Sequence, residues 1–530
     1  MPAYIPDNLA GQYSSGSIAS PLGMSHALTP AIYPHPVPEY SVVGFPSHGE
    51  YTYFYPFWVT MRDTYTGESA VKAKTVIYLP RHEKQTDKEY VAYLRRTPFY
   101  NAIFRTHQGL MGSVFRKAPD IIHEPNIKID LNSVTRDHKS FHVMLREMVA
   151  EQLLTGRYGV LVDLPSETEG RPFAATYRAE SILNWRTRFI NGREELDQVL
   201  LQERETVNVG IGTVSVLMFR LLELVPDEVG NLYYHQKITR IMDASEASRG
   251  GTSGKMEEII IPVIRGRRLN YIPFTFAGGI TNTPDCEYPP LFNIATMNLS
   301  HYQSYAALEH GRFYAAMPTY YIQGDGFHDP NDPQSTVNPF IVGPNNMWLL
   351  GKEDKPGILE FTGGGLSYLE NALESKQSQM ASLGGKLITQ SRKQAAISSN
   401  AWDLLAAGDE ATLLGVTQCA DEAGTKILQQ LIQFTGTVIT KEMEAKNYVE
   451  LNKQFETSEL TAREIRAIES IYKSRQIPKQ VLYSALRDVS VIPPTMTEEE
   501  FFMLLNDEAN LAEKPPEPIK SSLGTSKLTK

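Results

Sequence analysis

Between residues 287 and 388 the hydrophobic positions fall into two long stripes separated by an irregular stretch. Leu291, Ile294, Ala295, Leu299, Tyr302, Ala306 and Phe313 recur at helical spacing, which predicts one buried face of a helix. The positions opposite, Asn293, Thr296, Ser300, Gln303 and Ser304, are small, polar and uncharged. Pro289 and Pro290 fit just before a helix or in its first turn, and no further proline occurs until Pro318. At 1.5 Å per residue the predicted helix is about 45 Å long. A second stripe, Leu366, Leu369, Leu373, Met380 and Leu387, is opposed by Asn371, Ser375, Ser378, Ser382 and Lys386. Gly384 and Gly385 mark where that helix frays or bends. Two readings are open: a helical hairpin in an ordinary core, or a pair of struts lining the pore of a ring.

Elsewhere the pattern is shorter-ranged. Residues 1–50 are rich in Pro, Gly, Ser, Tyr and His, and predict an extended arm ordered only against a partner. The aromatic run YTYFYPFWVTM at 51–61 reads as a strand or docking segment. Thr86 or Asp87 caps a helix that Pro98 ends, and Phe99, Ile103, Leu110 and Val114 mark another amphipathic segment. Ser140 and Gly156 bracket a helix, Tyr158 to Asp163 is a buried strand, and residues 179–186 form a short helix or turn. Residues 220–225 and 232–237 pair as a hairpin, 258–264 is a further strand, and 272–276 leads to the first long helix. Residues 319–363 are irregular, with strand-like patches at 319–322, 347–350 and 358–361. Residues 389–400 lack periodicity and end at Asn400, a suitable N-cap for a long helix on Leu413, Val416, Ala420, Ile427 and Leu431. The last hundred residues turn helical and charged, with capping patterns at Thr461 and Thr497, and residues 513–530 read as disordered.

Composition narrows the class. The 530 residues are 42% hydrophobic and 21% charged, enough for a sizeable core. No run reaches ~18 apolar residues, and no basic segment precedes an apolar one at the N-terminus, so neither a membrane span nor a signal peptide is expected. Cys286 and Cys419 are the only cysteines; they fit a reducing compartment and exclude a cysteine zinc site. The net charge of −10 is not that of a protein built to grip nucleic acid, although a surface over which DNA slides should hold it weakly.

The segments YLPRHEK (78–84), TPFYNAIFRTHQGLMGSVFRKAP (97–119), LLTGRYGVLVDLP (153–165) and AESILNWR (179–186), in that order, resemble the tailed-bacteriophage portal family that is carried under a domain-of-unknown-function heading. The likeness runs over roughly residues 75–505. It implies an α+β subunit: arm (1–50), mixed α/β wing (51–286), stem helix (287–316), small clip (317–362), second stem helix (363–388), tunnel loop (389–400), channel helix and return (401–455), helical crown (456–512) and tail (513–530). It further implies a closed homo-oligomeric ring, dodecameric in the particle, at one capsid vertex of the virion. Double-stranded DNA would pass through it, with terminase, a tail adaptor and the major capsid protein as partners. On that likeness Gln390, Arg392 and Lys393 face DNA, and Leu299, Tyr302, Leu369 and Leu373 lie at the stem and ring contact.

A search for catalytic chemistry finds near-misses. The Gly250–Lys255 run has Arg249 where a phosphate-binding loop needs its first glycine, and Met256 where it needs Ser or Thr. His82-Glu83 begins like HExxH, but Thr86 replaces the second histidine. Asp325, His328, Asp329, Asn331 and Asp332 are an oxygen-rich cluster that could hold a divalent cation, but Pro330 and Pro333 argue for tight surface turns instead, and the spacing is not that of an EF-hand loop. His301 and His310 read as packing or interface residues rather than acid-base groups, and no GxSxG occurs. The expected protein is therefore not an enzyme and carries no cofactor. The alternatives are another head–tail connector or minor capsid protein, or a nucleic-acid-processing enzyme with a dispersed site.

Overall fold

The computed structural model describes residues 33–38, 44–164, 170–190, 192–209, 211–241, 255–316, 319–323, 355–359, 364–383, 399–453, 455, 483 and 498–504. The chain divides into two compact units, Met1–Lys453 and Gln454–Lys530. The fold is α+β, with antiparallel sheets concentrated in the middle of the chain and most helices on either side of them.

The first unit opens with α1 (Gly49–Thr66), α2 (Glu68–Ala73), α3 (Asp87–Arg96) and α4 (Ala102–Val114), then β1 (Asp120–Ile122) and α5 (Phe141–Thr155). The caps are those the sequence predicts. Thr86 Oγ1 accepts from Glu89 N at the start of α3 while the Glu89 carboxylate accepts from Thr86 N, satisfying two donors that a helix start leaves open. Ser140 caps α5, which stops at Gly156 with φ of 69°.

The run 51–61 is not a strand. It lies in α1, where Tyr51, Phe54, Phe57, Trp58, Met61 and Thr64 are buried at three- and four-residue intervals. Helical packing overrides the strand preference of the aromatics, and Pro56 is accommodated inside the helix. The described part of the arm packs on the chain itself. His35 Nε2 lies 2.9 Å from Tyr78 OH, the Phe45 ring stacks on Phe219, and His48 N donates to Leu183 O.

The sheets follow: β2 (Arg157–Asp163), β3 (Phe173–Arg178), β4 (Ile182–Ile190), β5 (Arg193–Val209), β6 (Gly212–Pro226), β7 (Leu232–Ile241), β8 (Lys255–Ile260), β9 (Val263–Ile264), β10 (Arg267–Arg268) and β11 (Phe274–Gly278). Of residues 179–186 only Ala179–Ser181 form a helical turn; the rest open β4. The order β11-β2-β3 makes one antiparallel sheet around the wholly buried β2. The order β4-β5-β6-β7-β8 makes a meander whose hairpin at Pro226–Leu232 is the expected one, with longer arms. Buried ions stitch these layers: Arg220 Nε donates to Glu203 at 2.6 Å, and Tyr177 OH donates to the same carboxylate at 2.7 Å. Arg62 of α1 likewise bridges Glu151 of α5 and Glu180.

The long elements complete the unit: α6 (Phe292–Ala315), β12 (Thr319–Gln323), β13 (Lys355–Leu359), α7 (Leu366–Leu383), α8 (Ser399–Phe434) and β14 (Tyr448–Glu450). Asn400 lies inside α8 rather than capping it, while Leu413, Val416, Ala420, Ile427 and Leu431 form its buried face as predicted. That helix packs on α5 and on β11, β2 and β3, and β14 returns to pair with β1. In the second unit residues 498–504 are helical, and the Phe501 and Phe502 rings lie 5.5 and 6.3 Å from Tyr483. The capping pattern at Thr461 lies outside the described residues.

Candidate functional site

The two predicted stripes form one antiparallel hairpin, α6 against α7. A carboxylate fixes its entry: Glu287 accepts from the backbone N–H groups of Gly279, Ile280 and Thr281 at 2.8 to 2.9 Å. Pro289 and Pro290 follow, and α6 starts at Phe292. The buried face of α6 packs on the N-terminal helices. Leu299, Tyr302 and Ala306 sit in one apolar cluster with Tyr90, Tyr93 and Phe99, and Asn298 is held by Tyr100 O and Ala102 N. Phe313 is half-buried under the Arg96 guanidinium, 3.8 Å from its centroid.

The second helix uses a narrower stripe. Leu373, Met380 and Ala381 are the buried residues among its 18, with Leu366, Leu369 and Lys376 half-buried. Gly311 of α6 lets Leu366 approach closely, since a Cβ there would stand 2.7 Å from Leu366 Cδ2. Lys376 occupies the seam itself. Its ammonium donates to Ser300 O, Ser300 Oγ and Ser304 Oγ at 3.1, 2.8 and 2.6 Å, and burial lowers its pKa. The polar flank of α6 is thus partly a cradle for one cation. Beside it His301 lies 3.2 Å from the Gln377 amide, with its pKa lowered to about 4 by burial and then by the Lys376 charge. His310 stacks on His82 at 5.6 Å and sits edge-on to Tyr93. Both histidines serve packing.

Leu299 and Tyr302 are therefore wholly buried within the chain itself, Leu373 is buried against α6, and Leu369 is half-buried. What α7 turns outward is a different stripe: Tyr368, 78% exposed, with Ala372, Gln379 and Leu383. At the turning end β12 pairs antiparallel with β13, leaving Tyr321 and Ile358 half exposed. The strand patch at 319–322 agrees with β12, and the one at 358–361 is displaced toward Lys355.

Residues 290–435 match a family described as a domain of unknown function, DUF4055. The matched stretch begins at the proline before α6 and ends just after α8. No curated protein matches the chain. Among solved structures, it is similar to a chain from one described as "Neck of empty GTA particle computed with C6 symmetry". The two are 12% identical, with 83% of this chain and 98% of that one covered, and a TM-score of 0.35, at which the likeness carries no argument.

Several predicted positions lie outside the described residues: Gln390, Arg392 and Lys393; Asp325, His328, Asp329, Asn331 and Asp332; Leu387; and the Gly250–Gly254 run. Among the described residues no group of three His, Cys, Asp or Glu is placed to hold a metal, and no helix is long and apolar enough to cross a membrane. Burial pushes the thiol of Cys286 up to about 12 and that of Cys419 up to about 11, so neither is a thiolate near neutrality. Sequence reasoning missed the Lys376 cradle, whose signal was a lone lysine within the stripe of α7.

Proposed function

We propose that the chain is a portal-type subunit of a phage-like particle. It assembles into a closed ring at one capsid vertex, dodecameric in the particle, through which DNA is packaged and ejected. It docks tail components and catalyses nothing, the driving ATPase being a separate terminase. The observation that carries this reading is the α6–α7 hairpin, two long packed helices with a small strand pair at their turning end and an uncovered face on α7. The four sequence segments that resemble portal proteins support it, as does a family match that spans hairpin and long helix together. A connector ring without stem and clip is the rival, and β12–β13 between the helices favours the portal. Gln390, Arg392 and Lys393 come after α7 in the chain and, on this reading, face the passing DNA.

A heterologous ring needs two different faces on each subunit that fit one another. The uncovered stripe of α7 supplies one of them. Class-averaged electron images of the purified full-length protein test the reading. Closed rings with a central opening are expected; a monomer or a two-fold dimer at every concentration refutes it.

A further inference from the structure

A cleft of about 960 Å³ opens between the start of β5, the β9–β10 hairpin with the segment after it, and the C-terminal part of α8. The hairpin turns through Arg265 and Gly266, at φ of 48° and 76°, the mirror-image geometry that suits a two-residue turn. The Arg265 guanidinium lies against Gly436 at φ 88°, where any Cβ would collide with it. Arg267 and Arg268 follow on β10 and line the same cleft, with the Arg268 guanidinium 5.5 Å from the Tyr233 ring centroid.

Lys426 of α8 faces these arginines across the cleft. It touches water there, yet protein on its other sides lowers its pKa by desolvation. Gln433, one helical turn pair further on, accepts from Tyr271 OH at 2.6 Å, which leaves its amide nitrogen as a donor. Among the described residues none of the four cations has an ion pair. The contrast with the adjoining sheet is direct: Arg186 and Arg188 share Asp197, Arg220 holds Glu203, and Arg240 holds Glu205 and Glu258. Four cations meet three carboxylates on the same lining, Glu194, Glu195 and Glu444, with no direct ion pair among the described residues, so the cleft keeps a positive excess that a bound anion offsets.

We infer that this cleft binds a compact polyanion of the phosphate class. Guanidinium forks match phosphate oxygens two at a time, and the volume is that of a small-molecule site. The three carboxylates disfavour a long polyanion running through the cleft and favour a short one held by the arginines and Lys426. The inference does not rest on ring assembly, and its test does not read it.

Pyrophosphate is the probe, titrated calorimetrically into the full-length protein at fixed ionic strength, with thermal melts alongside. Saturable binding to one site is expected. Lys426→Met removes a desolvated cation without a direct ion pair, so the unliganded variant should melt no lower than the native protein while its pyrophosphate affinity falls by about tenfold or more, the effect of losing one charge-assisted bond. Should that variant not fold, Arg267→Ser, at an exposed position, carries the same expectation. Absence of saturable binding, or unchanged affinity in the variant, overturns the site. Equal competition by sulfate reduces it to general screening, and equal competition by a DNA duplex overturns the compact ligand.

Discussion

Tyr368→Ser separates the ring from the fold. The side chain is 78% exposed in the subunit, so its loss should change folding stability by no more than ~0.5 kcal/mol. A buried aromatic removes about 150–250 Å² from water, so covering this one in a ring would remove roughly 150 Å². At ~25 cal/mol per Å² that contributes about 3–4 kcal/mol to each subunit contact, or more than a hundredfold in association. Sedimentation velocity across a dilution series, with electron images at each step, should show the variant assembling only at far higher concentration. Its thermal unfolding should match the native subunit. Leu299→Ala is the contrast: that side chain is fully buried within the subunit, and its loss should cost ~2–5 kcal/mol of folding stability whatever the assembly state. Assembly of Tyr368→Ser at the native concentration would refute the claim that this face of α7 meets a neighbour.

Acid should loosen the subunit before carboxylates titrate. His301 and His35 have pKa values lowered to about 4, in both cases first by burial and then by a nearby lysine. The unfolded chain takes up these protons first, so the stability is present above ~6.5 and is lost as the pH falls toward 4. Discounted for residual screening, each histidine accounts for about 1–2 kcal/mol, and denaturant unfolding of His301→Gln should show a shallower decline over that window. Duplex DNA should bind the assembled ring weakly and with a shallow salt dependence in fluorescence anisotropy; tight binding with a steep salt slope would point to a dedicated DNA-binding protein.

Local chemistry was legible in the chain because its causes are local. Thr86 with Glu89, Ser140 with Gly156, and the prolines at 289 and 290 each act within a turn of the residues they organise. The run at 51–61 misled because aromatic content favours strands while its burial period is helical. Tyr51, Phe54, Trp58 and Met61 lie on one side only once α5 and α6 are there to receive them. The phosphate-class cleft was not legible at all. It joins Arg265–Arg268 to Lys426, and nothing in a linear pattern says that a two-residue turn will be laid against a helix so far along the chain. Leu299 and Tyr302 were correctly read as apolar stripe, but a stripe does not state whether its cover comes from the same chain.

Lys376 shows how the hairpin settles that question. An apolar residue there would let α7 slide along α6 with little change in buried area, since the stripes of both helices repeat at similar spacing. The ammonium removes that freedom, because a shift of one turn takes it from Ser300 and Ser304 and leaves a desolvated cation without acceptors. Close approach at Gly311 acts in the same direction by admitting Leu366 at one register. The two devices lie at the start and near the middle of α7, so together they fix its translation and rotation. A helix located this firmly on one side can present Tyr368, Ala372 and Leu383 to a neighbour as a rigid stripe. Rigidity before contact lowers the ordering entropy of assembly, which a ring repeats at every subunit contact.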